Sequence, residues 1–147
     1  KVFRNGPFVF GACGSKRYGQ VLRIPGAFDG APSSDVFAWL ADRIRKLCVD
    51  GGLNVDRNAD KSDIGDVIVG HRHTLAKVES DFSVLTSRRG YLATGSGAET
   101  ANGAMWAATR VPNWSPRVVL RAAVRAAAAH CPSVRGPFRF VSTKVDE

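Results

Sequence analysis

Gly90-Tyr91-Leu92-Ala93-Thr94-Gly95-Ser96-Gly97-Ala98-Glu99-Thr100-Ala101-Asn102-Gly103-Ala104-Met105-Trp106 reads as an apolar strand over residues 91–94, a Gly-Ser-Gly turn, and an alanine-rich helix running from Gly97 to about Thr109. Glycines tolerate the dihedrals of a tight turn, and the first turn of a helix leaves its amides unpaired. Backbone N–H groups and the Ser96 hydroxyl therefore meet at one point, which suits chemistry on a carbonyl or a phosphate. The simplest motifs do not fit. A dinucleotide fingerprint would put its third glycine on Thr100, with no acidic residue at the required distance beyond. No Walker-type Gly-Lys-Ser/Thr occurs. A serine-hydrolase elbow needs wider glycine spacing and a general base, and neither is evident.

Upstream of this stretch, Asn5-Gly6-Pro7 separates residues 1–4 from the apolar run Phe8-Val9-Phe10-Gly11-Ala12-Cys13-Gly14. That predicts a hairpin whose second strand is buried on both faces. Residues 15–20 start a turn or short helix, and 25–32 are a glycine- and proline-punctuated loop. Ser33 or Ser34 is positioned to cap a helix over 35–49, where Val36, Phe37, Leu40, Ile44 and Leu47 recur at helical spacing before Gly51-Gly52. The aspartate-rich segment 52–65 reads as an exposed loop. Residues 66–70 and 74–79 read as strands joined around His71-Arg72-His73. Two imidazoles so spaced could share one side of a strand and ligate a metal, but no third ligand is near, so an exposed hairpin tip is expected and no metal or other cofactor. Residues 81–84 continue toward a turn at 87–90.

Downstream, Ser115 as N-cap and Pro116 at the first helical position open the last helix. Val118, Val119, Ala122, Ala123, Ala126 and Ala129 form a small-residue face on it. Arg117, Arg121 and Arg125 stack at four-residue steps, where like charges cost about 0.2–0.5 kcal/mol per pair. Gly136-Pro137 then leads into a closing strand over 138–142.

At 147 residues the chain suits one domain, 1–147, able to bury a core without staples. Three cysteines, Cys13, Cys48 and Cys131, have neither the number nor the spacing of a disulfide framework or a zinc knuckle. The net charge of +8 raises the question of nucleic acid, but the arginines are scattered and no aromatic-plus-basic platform accompanies them. Nucleic acid is therefore not the expected partner. No apolar run approaches a membrane span and no signal-peptide layout opens the chain, so a cytoplasmic location is the default and no membrane partner is expected. The start, Lys1-Val2-Phe3 without methionine, reads like the middle of something longer.

The order of strands, helix, strands, two helices and strand, with hairpin-length connections, favours antiparallel pairing in an α+β fold with two sheets between helical layers. Four segments then carry a resemblance: Lys1-Val2 entering a hairpin; Phe10-Gly11-Ala12-Cys13-Gly14-Ser15; Ala93-Thr94-Gly95-Ser96-Gly97-Ala98; and the final helix running through Pro132-Ser133-Val134-Arg135-Gly136-Pro137. Together they resemble, over nearly the whole chain, the proteasome β-subunit family of N-terminal-nucleophile hydrolases, which includes the bacterial heat-shock-locus V peptidase. The resemblance implies a four-layer αββα sandwich. It also implies a threonine-type peptidase acting on polypeptides in a homo-oligomeric ring, with an unfoldase ATPase as a further partner. In such enzymes an N-terminal threonine attacks the peptide carbonyl and its own amine is the base.

The resemblance places Lys1 at the lysine beside the nucleophile and Gly14 at the glycine whose N–H stabilises the oxyanion. It places Ser96 at the serine that orders the amine and a water. An oxyanion donor contributes about 2.7–4 kcal/mol. The sequence departs from the pattern twice. The first hairpin, which would carry the threonine and an aspartate ahead of Lys1, is absent from residues 1–147. The aspartate-x-x-serine pair after the last helix would fall on about Cys131 and Val134, with Ser133 a substitute only after a shift of register. Cys13 is aimed away from Gly14 by strand alternation. These departures motivate an alternative: a non-catalytic assembly or binding protein, phage-related, that keeps the sandwich and uses the Arg117–Arg125 stripe.

Overall fold

The computed structural model describes residues 1–56 and 63–142. In chain order the elements are β1 (Val2–Asn5), β2 (Phe8–Ala12), α1 (Lys16–Val21), α2 (Val36–Asp50), β3 (Val67–His71), β4 (Thr74–Val78), β5 (Val84–Thr86), α3 (Ala98–Ala108) and α4 (Pro116–His130). The five strands form one sheet in the order β1-β2-β3-β4-β5, every pair antiparallel. The class is α+β, as expected. Among the described residues no helix is long and apolar enough to cross a membrane. The chain divides into two compact units, residues 1–90 with 141 and 142, and residues 91–140.

In the first unit, Gly6 and Pro7 form the two-residue loop of the β1–β2 hairpin, with Asn5 opposite Phe8. The Asn5 side chain is buried and donates to the carbonyls of Leu22 (3.0 Å) and Ile24 (2.8 Å), tying the hairpin to the chain leaving α1. β2 alternates instead of being buried on both faces. Phe8 and Phe10 are fully covered, whereas Val9, Gly11 and Ala12 are half-buried. The pleat explains this, because successive side chains point to opposite faces. On the covered face Phe8, Phe10, Val67, Val69 and Val78 pack with Tyr18, Val21 and Leu22 of the α1 region and with Leu40, Ile44, Leu47 and Cys48 of α2. Burial pushes the Cys48 thiol up to about 11. On the other face Val2, Ile68, Leu75 and Lys77 are half-buried and Leu85 is exposed.

Three local expectations in this unit are corrected. α2 begins at Val36, and neither Ser33 nor Ser34 caps it. Asp35 holds the N-cap position with φ +50° and no side-chain capping bond. The second correction concerns His71-Arg72-His73. Arg72 and His73 form a two-residue turn, but His71 is half-buried, with its ring 4.9 Å from Phe8 and 6.4 Å from Phe37. Burial first, and the charge of Arg72 second, lower its pKa. No group of three metal-ligating side chains occurs among the described residues. Third, residues 81–84 do not simply continue toward a turn at 87–90, because a turn comes first and the strand β5 follows it. Phe82 adopts φ +66°, and the Ser83 hydroxyl donates to Asp81 Oδ1 (2.6 Å), making a turn from which β5 starts.

In the second unit α3 and α4 pack through Ala101, Met105 and Ala108 against Val119, Ala123 and Ala127. Small side chains at four-residue steps let two helices approach closely. The buried face therefore differs from the expected one, since Val118 and Ala129 are exposed and Ala127 is inside. Ser115 caps α4 as expected, its Oγ accepting from the Val118 N–H, and Arg117, Arg121 and Arg125 are exposed. Residues 91–94 and 138–142 are not strands. A strand exists only with a ladder partner, and neither segment belongs to the sheet among the described residues, whatever its apolar pattern.

Candidate functional site

The end of β2 builds a cleft around Lys1 and Gly14. The Ala12 N–H donates to the Lys1 carbonyl (3.1 Å), so the ladder of the first hairpin continues to the lysine. One residue on, the Cys13 N–H (3.0 Å) and its thiol (3.1 Å) both donate to the Asp66 carbonyl. Gly14 then turns the chain with φ +97°. A Cβ there would stand 2.8 Å from the Gly65 backbone, and one on Gly65 would collide with the Cys13 carbonyl oxygen. Both positions must be glycine, and Gly65 carries no signal of this in the sequence. Ser15 sets the start of α1, its hydroxyl donating to the Asp63 carbonyl (2.7 Å) and accepting from the Tyr18 N–H (3.1 Å) as the N-cap. Gly14 is exposed, and among the described residues no carbonyl takes up its N–H. The resulting cleft, about 480 Å³, is lined by Lys1, Phe3, Gly14, Lys16, Gln20 and Arg23, among others.

Ser96 lies in the second unit, in a cluster of its own. Gly95 takes φ +93°, and a Cβ on Gly97 would stand 2.8 Å from Val134 Cγ2 and 3.0 Å from Ala127 Cβ. The two glycines thus have separate tasks. The first turns the chain, and the second lets the start of α3 touch the end of α4 and the residues after it. That approach brings Ser96 Oγ to 2.6 Å from Ser133 Oγ, which lies 3.2 Å from Cys131 Sγ. Cys131 is the C-cap of α4, its N–H bonded to the Ala127 carbonyl (2.8 Å), and the Val134 N–H returns to the Cys131 carbonyl (2.9 Å), so the turn folds Ser133 back. The hydroxyl that meets Ser96 is that of Ser133, and Val134 packs on Gly97 instead.

Hydrogen bonds from Ser133 first, and Ser96 second, hold the Cys131 thiol below its ordinary range. A depressed acid contributes stability above the unfolded thiol's pKa and loses it as pH falls through the folded value. Cys131 is half-buried and so partly accessible to a small reagent, and its pH-dependent alkylation is the more sensitive readout. Iodoacetamide modification of Cys131, followed by peptide mass mapping from pH 6 to 10, is expected to rise at lower pH than modification of the same cysteine in the urea-unfolded protein. Ser133→Ala is expected to move the midpoint back up, and coincident folded and unfolded profiles would show that the hydroxyl chain does not act on the thiol.

Of the residues proposed from sequence, Lys1 and Gly14 line one cleft of the first unit, and Ser96 sits in the Ser133–Cys131 cluster of the second. No family model and no curated protein sequence matches the chain. Among solved structures, Thiobacillus denitrificans BPH matches with a TM-score of 0.75 and 26% identity, over 93% of this chain and 75% of that one. The fold is proteasome-like. The same BPH in complex with epoxomicin gives a TM-score of 0.72 at 24% identity over the same shares. HslV from Trypanosoma brucei gives 0.58 at 18%, over 88% of this chain and 72% of that one. The resemblance read from four segments of the sequence was to this fold.

Proposed function

We propose that the chain is the greater part of a proteasome-like threonine peptidase subunit that cuts peptide bonds within a ring of identical subunits in the cytoplasm, with an unfoldase ATPase delivering polypeptides. In this reading residues 1–147 are one domain of a four-layer αββα sandwich, and the apolar, half-buried second face of the sheet is the face a second sheet would cover. Lys1 supplies positive charge beside the nucleophile, the Gly14 N–H receives the oxyanion, and Ser96, steadied by Ser133, orders the attacking amine. The nucleophile is a threonine encoded ahead of Lys1. The observation that carries the proposal is the meeting of Lys1 and Gly14 in one cleft, on a fold similar to that of a BPH that binds epoxomicin.

The test uses the full gene product, incubated with fluorogenic peptides and then with epoxomicin. Hydrolysis that stops as one epoxomicin mass is added to an N-terminal threonine peptide is the expected result. Neither hydrolysis nor adduct would favour the non-catalytic assembly protein, for which the replacement of the aspartate-x-x-serine pair by Cys131 and Val134 speaks.

A further inference from the structure

The cleft at Gly14 has a charge bias that peptide hydrolysis alone does not require. Three of its lining residues, Lys1, Lys16 and Arg23, are cations, Gln20 adds an amide donor, and among the described residues none that lines it is acidic. Phe3 forms the apolar flank, and the Arg23 guanidinium lies 4.6 Å from its ring centroid. That contact anchors the arginine without neutralising it. Lys16 and Arg23 are exposed, and neither is in an ion pair among the described residues.

A side chain entering such a cleft meets like-signed potential from several directions. A carboxylate exchanges its water for charge-assisted hydrogen bonds to ammonium, guanidinium and amide donors. An incoming lysine or arginine is repelled, and an apolar group packs against Phe3, Ala12 and Cys13 but leaves the cations without a counter-charge. We infer that the cleft seats an acidic side chain, aspartate or glutamate, of a bound polypeptide beside the Gly14 amide. The inference rests on the peptidase proposal for the identity of the ligand as polypeptide, and names the substrate class. A nucleic-acid strand is the poorer fit. Among the described residues the aromatic ring that lines the cleft is Phe3, and it is covered by Arg23 and so is not open to a stacking base.

The experiment is fluorescence anisotropy with the full gene product and three labelled peptides that differ only at a central Glu, Leu or Lys. The Glu peptide is expected to bind at least about tenfold more tightly than the Lys peptide, with the gap narrowing as salt rises. The double variant Lys16→Glu/Arg23→Glu is expected to reverse the order, and the milder Lys16→Gln/Arg23→Gln to level it if charge reversal prevents folding. Equal affinities in the wild type, or an order that neither double variant changes, overturns the inference. So does an oligonucleotide that binds more tightly than the Glu peptide and is lost in the same variants. Hydrolysis of the three peptides is followed in parallel. Charge-ordered binding without hydrolysis keeps the acidic cleft and rejects the peptidase, whereas hydrolysis without charge order keeps the peptidase and rejects the acidic cleft.

Discussion

Alanine in place of Lys1 is expected to lower peptide hydrolysis by the full gene product about 10²–10³-fold, the loss typical when one preorganised stabilising group is removed from a reacting centre. The loss should fall in kcat more than in KM, because the ammonium acts on charge that develops during attack. Stability should hardly move. The Lys1 side chain is exposed, and a backbone bond from the Ala12 N–H to its carbonyl, which the substitution keeps, joins this residue to the sheet. Lys1→Arg retains the charge in a planar fork of different reach, so it should recover only part of the rate. Lys1 is a cleaner probe than Gly14. A methyl group on Gly14 would collide with the Gly65 backbone at 2.8 Å, and the resulting shift would mix lost chemistry with lost geometry. A Lys1→Ala protein that keeps more than half of the wild-type kcat would remove this lysine from the machinery.

The parts of the fold that were legible in the sequence are those fixed by neighbours along the chain. Asn5-Gly6-Pro7 must turn whatever surrounds it, and Ser115-Pro116 opens a helix by satisfying an N–H and by lacking one. What was illegible depends on distant partners. Residues 91–94 and 138–142 have strand composition, but composition does not supply a ladder. The turn at 81–83 was hidden because an aromatic residue, Phe82, occupies the left-handed position where glycine or asparagine would have signalled it. On α4 the choice between Ala127 and Ala129 as the inward residue could not be made from residue type, because one alanine looks like another and only packing on Met105 and its neighbours fixes the phase.

The candidate site divides along the same line. Gly14 and Ser96 announced themselves through local glycine patterns. Gly65 stands in an aspartate-rich segment and matters only because Gly14 lies against it. Ser133 became visible as the partner of Ser96 once the close approach at Gly97 was known, and Lys16 and Arg23 became site residues only when the cleft joined them to Lys1.

The largest loss of stability is expected from Phe10→Ala. Phe10 has no solvent exposure, sits at the middle of β2 between Phe3 on β1 and Val69 on β3, and has ring neighbours at 4.8 Å (Phe28), 5.3 Å (Phe3) and 6.0 Å (Phe8). Truncating a buried phenylalanine costs about 3–5 kcal/mol through lost transfer energy and the cavity left behind. Each ring pair contributes about 0.5–1.5 kcal/mol beyond its buried area, which favours the upper part of that range. Native domains are stable by only about 5–15 kcal/mol, so one side chain here is a large share of the total. The exposed Phe138 provides the contrast, since its replacement by alanine should stay within about 0.5 kcal/mol. Urea denaturation with unchanged m-values reads both variants. A Phe10→Ala cost below about 1 kcal/mol would mean that the β2 face is not the core. The effect should also reach the cleft. The same strand carries Ala12, which holds Lys1 through its N–H, and ends two residues before Gly14. Loosening its centre therefore loosens both residues, and amide exchange at Ala12 and Cys13 should accelerate along with the global loss of stability.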